Sequence, residues 1–74
     1  MARLTPLKSS QVIRILGRLG FNRIRQRGSH AYFRHSDGRA TVIPIHKGED
    51  LGRGLLNAIL KDIELTWSDF ISYR

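Results

Sequence analysis

Asn22-Arg23-Ile24-Arg25-Gln26-Arg27-Gly28-Ser29-His30-Ala31-Tyr32-Phe33-Arg34-His35 is the stretch that decides the fold. Side chains alternate across a β-strand with period two, and here Arg23 and Arg25 oppose Asn22, Ile24 and Gln26. The same spacing returns in His30, Tyr32 and Arg34. Between the two runs, Gly28 supplies the positive φ of a tight reversal. The pattern predicts strands over residues 22–26 and 30–35, joined by a two-residue turn at Arg27-Gly28. In that register Gln26 faces Ser29, Arg25 faces His30, Ile24 faces Ala31 and Arg23 faces Tyr32. Apolar and polar pairs then separate onto opposite faces.

Working outward, Ser36-Asp37-Gly38 reads as a three-residue hairpin loop with Gly38 as its left-handed residue, leading into a third strand over residues 40–45. This sets Ala31 against Ile43 and Phe33 against Thr41. A two-residue Asp37-Gly38 loop would set Phe33 against Val42 and turn the third strand over; the hydrophobic pattern selects the first. The core face then reads Ile24, Ala31, Phe33 and Ile43, with Ile45 at its end. The opposite face carries Arg23, Arg25, His30, Tyr32, Arg34 and, at the strand end, His46.

Helices flank this sheet. Val12, Ile15, Leu16 and Leu19 recur at i, i+3, i+4 and i+7 and predict an amphipathic helix over residues 9–19, with a capping serine in Ser9-Ser10 and a stop at Gly20-Phe21. Arg14 and Arg18 fall on its polar side. Leu55, Leu56, Ile59, Leu60 and Ile63 form a second stripe whose start is marked by Gly52-Arg53-Gly54. Thr66-Trp67-Ser68-Asp69 has the form of a cap with an acid three residues on, so residues 67–72 are expected to add a helical turn burying Phe70 and Ile71, with Trp67 in core or rim packing. The expectation is a single α+β domain over residues 1–74, in α-β-β-β-α order, with a three-stranded antiparallel sheet covered by helices on one face.

Composition limits the chemistry. The 74 residues make one small domain with a marginal core. The absence of cysteine removes disulfides and thiolate chemistry and fits a reducing cytoplasm. No apolar run approaches the ~18 residues of a membrane span, so a soluble, unexported protein with no membrane partner is expected. The net charge of +7 is lopsided. Eight arginines and lysines and no acid precede residue 37, whereas from residue 37 onward five basic residues meet six acidic ones. Such a basic half suits a polyanion, and the predominance of arginine suits phosphate.

The histidines give the candidate chemistry. His35 lies five residues from His30, about 17 Å along a strand, too far to share one reacting phosphate. His46 ends the third strand, which antiparallel pairing returns toward His30. Two imidazoles beside arginines can serve RNA cleavage by 2′-hydroxyl attack: one takes the proton, a second donor protonates the leaving oxygen, and cations meet the charge on phosphorus. The candidate phosphate-binding set is Arg23, Arg25, Arg27, Ser29, Tyr32 and Arg34, with Gly28 shaping the turn. Metal ligation is poorly served, since cysteine is absent and no two histidines stand at i, i+4; no cofactor is expected.

Leu19-Gly20-Phe21, Arg25-Gln26-Arg27-Gly28-Ser29-His30, Asp37-Gly38-Arg39, Ile43-Pro44-Ile45-His46 and the closing leucine-rich helix, in this order, resemble the HicA (YcfA-like) toxins of bacterial type II toxin-antitoxin systems. The resemblance spans nearly the whole chain. It implies a fold similar to a double-stranded-RNA-binding domain and ribosome-independent cleavage of mRNA by an endoribonuclease, an mRNA interferase of the stress response. It also implies neutralisation by a HicB-like antitoxin covering the active site. The histidine of the Gly-Ser-His turn, His30, is the catalytic residue so implied; His46 stands as a candidate auxiliary acid or base on its position alone. One departure is Gly54-Leu55-Leu56, where the family usually has Gly-Thr-Leu, which removes a hydroxyl at the start of that helix. The alternatives are a non-catalytic RNA-binding module and, less suited because no helix-turn-helix pair stands in the sequence, a DNA-binding regulator.

Overall fold

The structure is a computed structural model that describes residues 3–74; Met1 and Ala2, the first residues of the expected domain, lie outside the described part. In chain order the elements are β1 (Leu7–Lys8), α1 (Ser9–Arg18), β2 (Phe21–Arg27), β3 (His30–His35), β4 (Ala40–Pro44), β5 (Asp50–Leu51), α2 (Arg53–Ile63) and α3 (Trp67–Ile71). The expected α+β architecture is present. Strands β2, β3 and β4 form an antiparallel sheet in that order. Ala31, Phe33 and Ile43 of its inner face pack with Val12, Ile15 and Leu16 of α1 and Leu56, Ile59, Leu60 and Ile63 of α2.

The β3–β4 hairpin has the expected register, with Ala31 opposite Ile43 and Phe33 opposite Thr41. Its loop is closed by the Gly38 N–H donating to the His35 carbonyl at 3.0 Å and the His35 N–H to the Arg39 carbonyl at 2.8 Å. Gly38 is left-handed at φ 98°, where a Cβ would crowd the backbone.

The first hairpin differs from expectation. Arg27 pairs with His30, so the turn residues are Gly28 and Ser29, not Arg27 and Gly28. Gly28 has φ 55° and Ser29 stays at negative φ, the sign pattern of a II′ hairpin loop. Gln26 therefore faces Ala31, Arg25 faces Tyr32 and, beyond an irregularity, Arg23 faces Phe33 and Phe21 faces His35. The irregularity is a β-bulge at Ile24, and it lets an inward Phe21 and outward arginines share one strand. Phe21 and Ile24 are three positions apart, so a regular strand puts them on opposite faces. Phe21 carries the larger apolar surface and takes the core position at 3% exposure, which leaves Ile24 outward at 60%; unbroken alternation from Phe21 would also turn Arg25 and Arg27 inward, and the bulge reverses the parity so that they stand opposite Tyr32 and His30. The expected core role of Ile24 is thus overturned. Arg23, in parity with Phe21, moves to the inner side of the sheet, its guanidinium 5.5 Å from the centre of the Phe33 ring.

The helix ends show a second correction. Neither serine caps α1: Lys8 holds the cap position, Ser9 is already helical and buried, and the Gln11 side chain accepts from the Lys8 N–H at 2.9 Å. Gly20 ends α1 at φ 96°, as expected. The Thr66 hydroxyl accepts from the Asp69 N–H at 3.2 Å, and Phe70 is buried to 1% while Trp67 and Ile71 pack at the core margin. Strands β1 and β5 were not legible in the pattern; they pair Leu7 with Leu51 and clip the two helix starts together.

Candidate active site and nucleic-acid interface

With α1 and α2 on one face, the other face of the sheet is open, and the register fixes what stands on it. Three rows cross the strands: Arg27, His30 and Pro44; Arg25, Tyr32 and Val42; Asn22, Arg34 and Ala40. Neighbours across such rows have Cβ atoms about 5 Å apart, so Arg27 and His30 are adjacent side chains. His30 is exposed, as are Arg25, Arg27 and Arg34. The Arg25 guanidinium lies over the Tyr32 ring at 4.9 Å, a contact that leaves its charge available at the surface.

The turn that presents His30 is held from both sides. The Gln26 amide nitrogen donates to the Gly28 carbonyl at 3.1 Å, and its oxygen accepts from Arg23 Nη1 at 2.9 Å. From the other flank the Ile45 N–H donates to the Ser29 carbonyl at 2.6 Å, continuing the ladder past Pro44, which has no N–H to give. Ser29 is half-buried. His46 follows Ile45 as an exposed residue whose carbonyl accepts from the Glu49 N–H at 3.1 Å. It stands two residues beyond Pro44, the partner of His30.

Arg25, His30, Tyr32 and Arg34 therefore share the open face, as the alternation predicted; Arg27, expected in the turn, joins them, and Arg23 does not. Among the described residues the ion pairs are Lys8 with Asp50, His35 with Asp37 and Arg39 with Asp37. None of them draws on Arg25, Arg27 or Arg34, so these charges face solvent without a carboxylate partner. Two features of the site escaped the sequence reading. Gln26 opens the turn motif, but its bracing role needs the Arg23 side chain, which the expected register put on the other face. Ile24, counted with the core, instead lines a shallow groove of about 200 Å³ with Tyr32, Ala40 and Val42.

His35 belongs to a separate cluster at the far end of the sheet. Its ring meets Phe21 edge-on at 5.1 Å, and Nδ1 is 3.1 Å from both the Asp37 N–H nitrogen and Asp37 Oδ1. The neutral imidazole accepts from the N–H; the charged one donates to the carboxylate. Arg39 clamps the cluster, stacking over Phe21 at 5.2 Å and donating to the Ile63 carbonyl at 2.6 Å. The Arg39 backbone N–H, donating to Asp37 Oδ1 at 3.0 Å, is the main cause that holds the Asp37 carboxyl below its ordinary range, and the Arg39 side chain and His35 add to it.

Fold and surface together define a small basic α+β domain whose open sheet face presents one imidazole among unpaired arginines. The family model described as the HicA toxin of bacterial toxin-antitoxin systems matches residues 9–65, from the first turn of α1 to just past α2, and the chain belongs to that family. Comparison with curated proteins gives no match. Membership makes the chain a toxin of a toxin-antitoxin pair; β1 and α3 lie outside the matched segment. No helix of the described residues is long and apolar enough to cross a membrane.

Proposed function

We propose that this toxin is a ribosome-independent endoribonuclease that cuts mRNA with His30 as its general acid or base, acting in the bacterial cytoplasm. The observation that carries this reading is the row Arg27, His30 and Pro44 on the open face, with an exposed imidazole beside a guanidinium that has no carboxylate partner. Arg25, Arg27 and Arg34 hold the phosphates, with Ser29 and Tyr32 beside them. In the reaction the 2′-oxygen bonds to phosphorus, its proton passes to a base, the P–O5′ bond breaks, and the leaving oxygen takes a proton. His30 performs one of these transfers and His46 is the candidate for the other, while the arginines stabilise the charge on the five-coordinate phosphorus. A HicB-like antitoxin neutralises the toxin by covering this face.

Purified wild type and His30→Ala, incubated with a long RNA, test the reading. Cleavage should fall by at least about 10²-fold in the variant while its melting temperature is kept. A variant that cuts at the wild-type rate removes His30 from the mechanism; a wild type that binds RNA and leaves it whole makes the chain a binding module.

A further inference from the structure

Charge and imidazole account for the phosphate side of the open face, but not for an isoleucine turned out beside them. Ile24 is 60% exposed at the bulge. With Tyr32, Ala40 and Val42 it lines the groove described above, which reaches the Asp62 carboxylate. Arg25 stands in the same row as Tyr32 and Val42, and Arg34 in the same row as Ala40. A site with apolar walls and an arginine border fits a ligand that is flat and apolar on its faces and carries a negatively charged thread. We infer that the groove is a nucleobase subsite, taking one unpaired base of the nucleotide next to the phosphate at His30, and that it makes the toxin selective for single-stranded RNA.

This inference rests on the cleavage reading, and the spacing supports it. Tyr32 follows His30 by two residues on the same face, about 7 Å along the strand. One nucleotide bridges that span from its phosphate to its base, and a base lying against Ile24, Tyr32 and Val42 has side chains rather than neighbouring bases on its faces, so the RNA is unstacked there. A duplex, with its bases paired and stacked, cannot deliver a base there. The Arg25 guanidinium, already lying on one face of Tyr32 at 4.9 Å, offers its other plane for stacking. Asp62, which accepts from the Thr41 hydroxyl at 2.9 Å, repels a phosphate at the far end of the groove and keeps the backbone on the arginine side.

The test uses short RNA oligonucleotides and the full chain. Wild-type cleavage of an intact oligonucleotide marks the bond that is cut; binding is then measured with His30→Ala, alone and combined with Ile24→Ser, to intact RNA, to RNA with an abasic residue flanking that bond, and to a duplex. Because Ile24 is exposed, Ile24→Ser should melt as wild type does. Removing the base or the isoleucine should each weaken binding, the base by about 5- to 150-fold, and the two losses should not multiply. The subsite is overturned if intact and abasic RNA bind alike, if the losses multiply, if the duplex binds as tightly as the single strand, or if Ile24→Ser leaves RNA affinity unchanged. Should wild type cut RNA while these variants bind as before, the subsite falls alone; should wild type neither bind nor cut RNA, the cleavage reading falls with it.

Discussion

Replacing Arg23 and Arg25 one at a time by alanine separates the bulged strand from the regular one that the alternation predicts. A regular strand puts both cations on the open face. The bulge at Ile24 leaves Arg25 in the row of Tyr32 and moves Arg23 onto Phe33. A phosphate contact to single-stranded nucleic acid contributes about 0.7 to the slope of log affinity against log salt. Across a fourfold rise in salt, from about 50 to 200 mM, one such contact is then worth about 2.6-fold in affinity. Arg25→Ala should flatten the slope by about 0.7, and so should Arg27→Ala and Arg34→Ala.

Arg23→Ala should leave the slope unchanged and register in stability instead. Its guanidinium over Phe33 is worth about 0.5–1 kcal/mol, which corresponds to a fall of about 2–8 °C in melting temperature for a domain of this size. The hydrogen bond from Arg23 to Gln26 is exposed and adds little. Fluorescence anisotropy of a labelled single-stranded RNA, titrated with each variant in the His30→Ala background at several salt concentrations, gives the slopes; calorimetry gives the melting temperatures. Equal flattening by Arg23→Ala and Arg25→Ala would refute the placement of Arg23 and with it the bulge as the organiser of the face.

Three further outcomes follow from named contacts. Gln26→Ala cuts the brace between Arg23 and the Gly28 carbonyl; single-turnover cleavage should slow several-fold while RNA affinity stays within about 2-fold, and an unchanged rate would show that the turn needs no brace. Gly20→Ala puts a methyl group 3.1 Å from His35 Nε2 at a residue with φ 96°; denaturant melts should show a loss of about 1–2 kcal/mol or more, since both the left-handed backbone and the contact oppose the substitution. The Asp37 carboxyl is held low in the fold, chiefly by the Arg39 backbone N–H, so its contribution to stability is present above the unfolded value of 3.8 and lost as pH falls through the lower folded value. Melts of wild type and Asp37→Asn should therefore show a constant gap above about pH 4, wild type being the more stable, that closes as pH falls below it; a gap that persists unchanged into the acid range would remove the carboxylate's charge from the account.

How far the sequence could be read depends on how much each strand buries. In β3 and β4, Ala31, Phe33, Thr41 and Ile43 are all buried and alternate strictly, and Asp37-Gly38 fixes the loop, so one register satisfies everything and it is the one found. In β2 only Phe21 of seven residues is buried. An exposed edge strand rich in arginine carries no period of its own, and its two apolar residues, at odd spacing, demand opposite faces. Which of them enters the core is decided by where α1 delivers the chain, a tertiary fact that no local pattern holds. Two-residue strands such as β1 and β5 are too short to leave a period at all. The candidate site followed the same division. His30 was legible because a polar turn with a glycine must lie at the surface, and Arg25, Arg27, Tyr32 and Arg34 because their spacing to it survives a shift of register by two. Arg23 and Ile24 were not, because they lie on or beyond the bulge, where the parity reverses. That reversal removes one cation from the open face and adds one apolar side chain, and it converts a uniformly basic surface into one with an apolar groove set a strand step from the imidazole. A surface of arginines alone attracts any nucleic acid; an apolar groove beside the imidazole would give a reason for one conformation of it to be preferred.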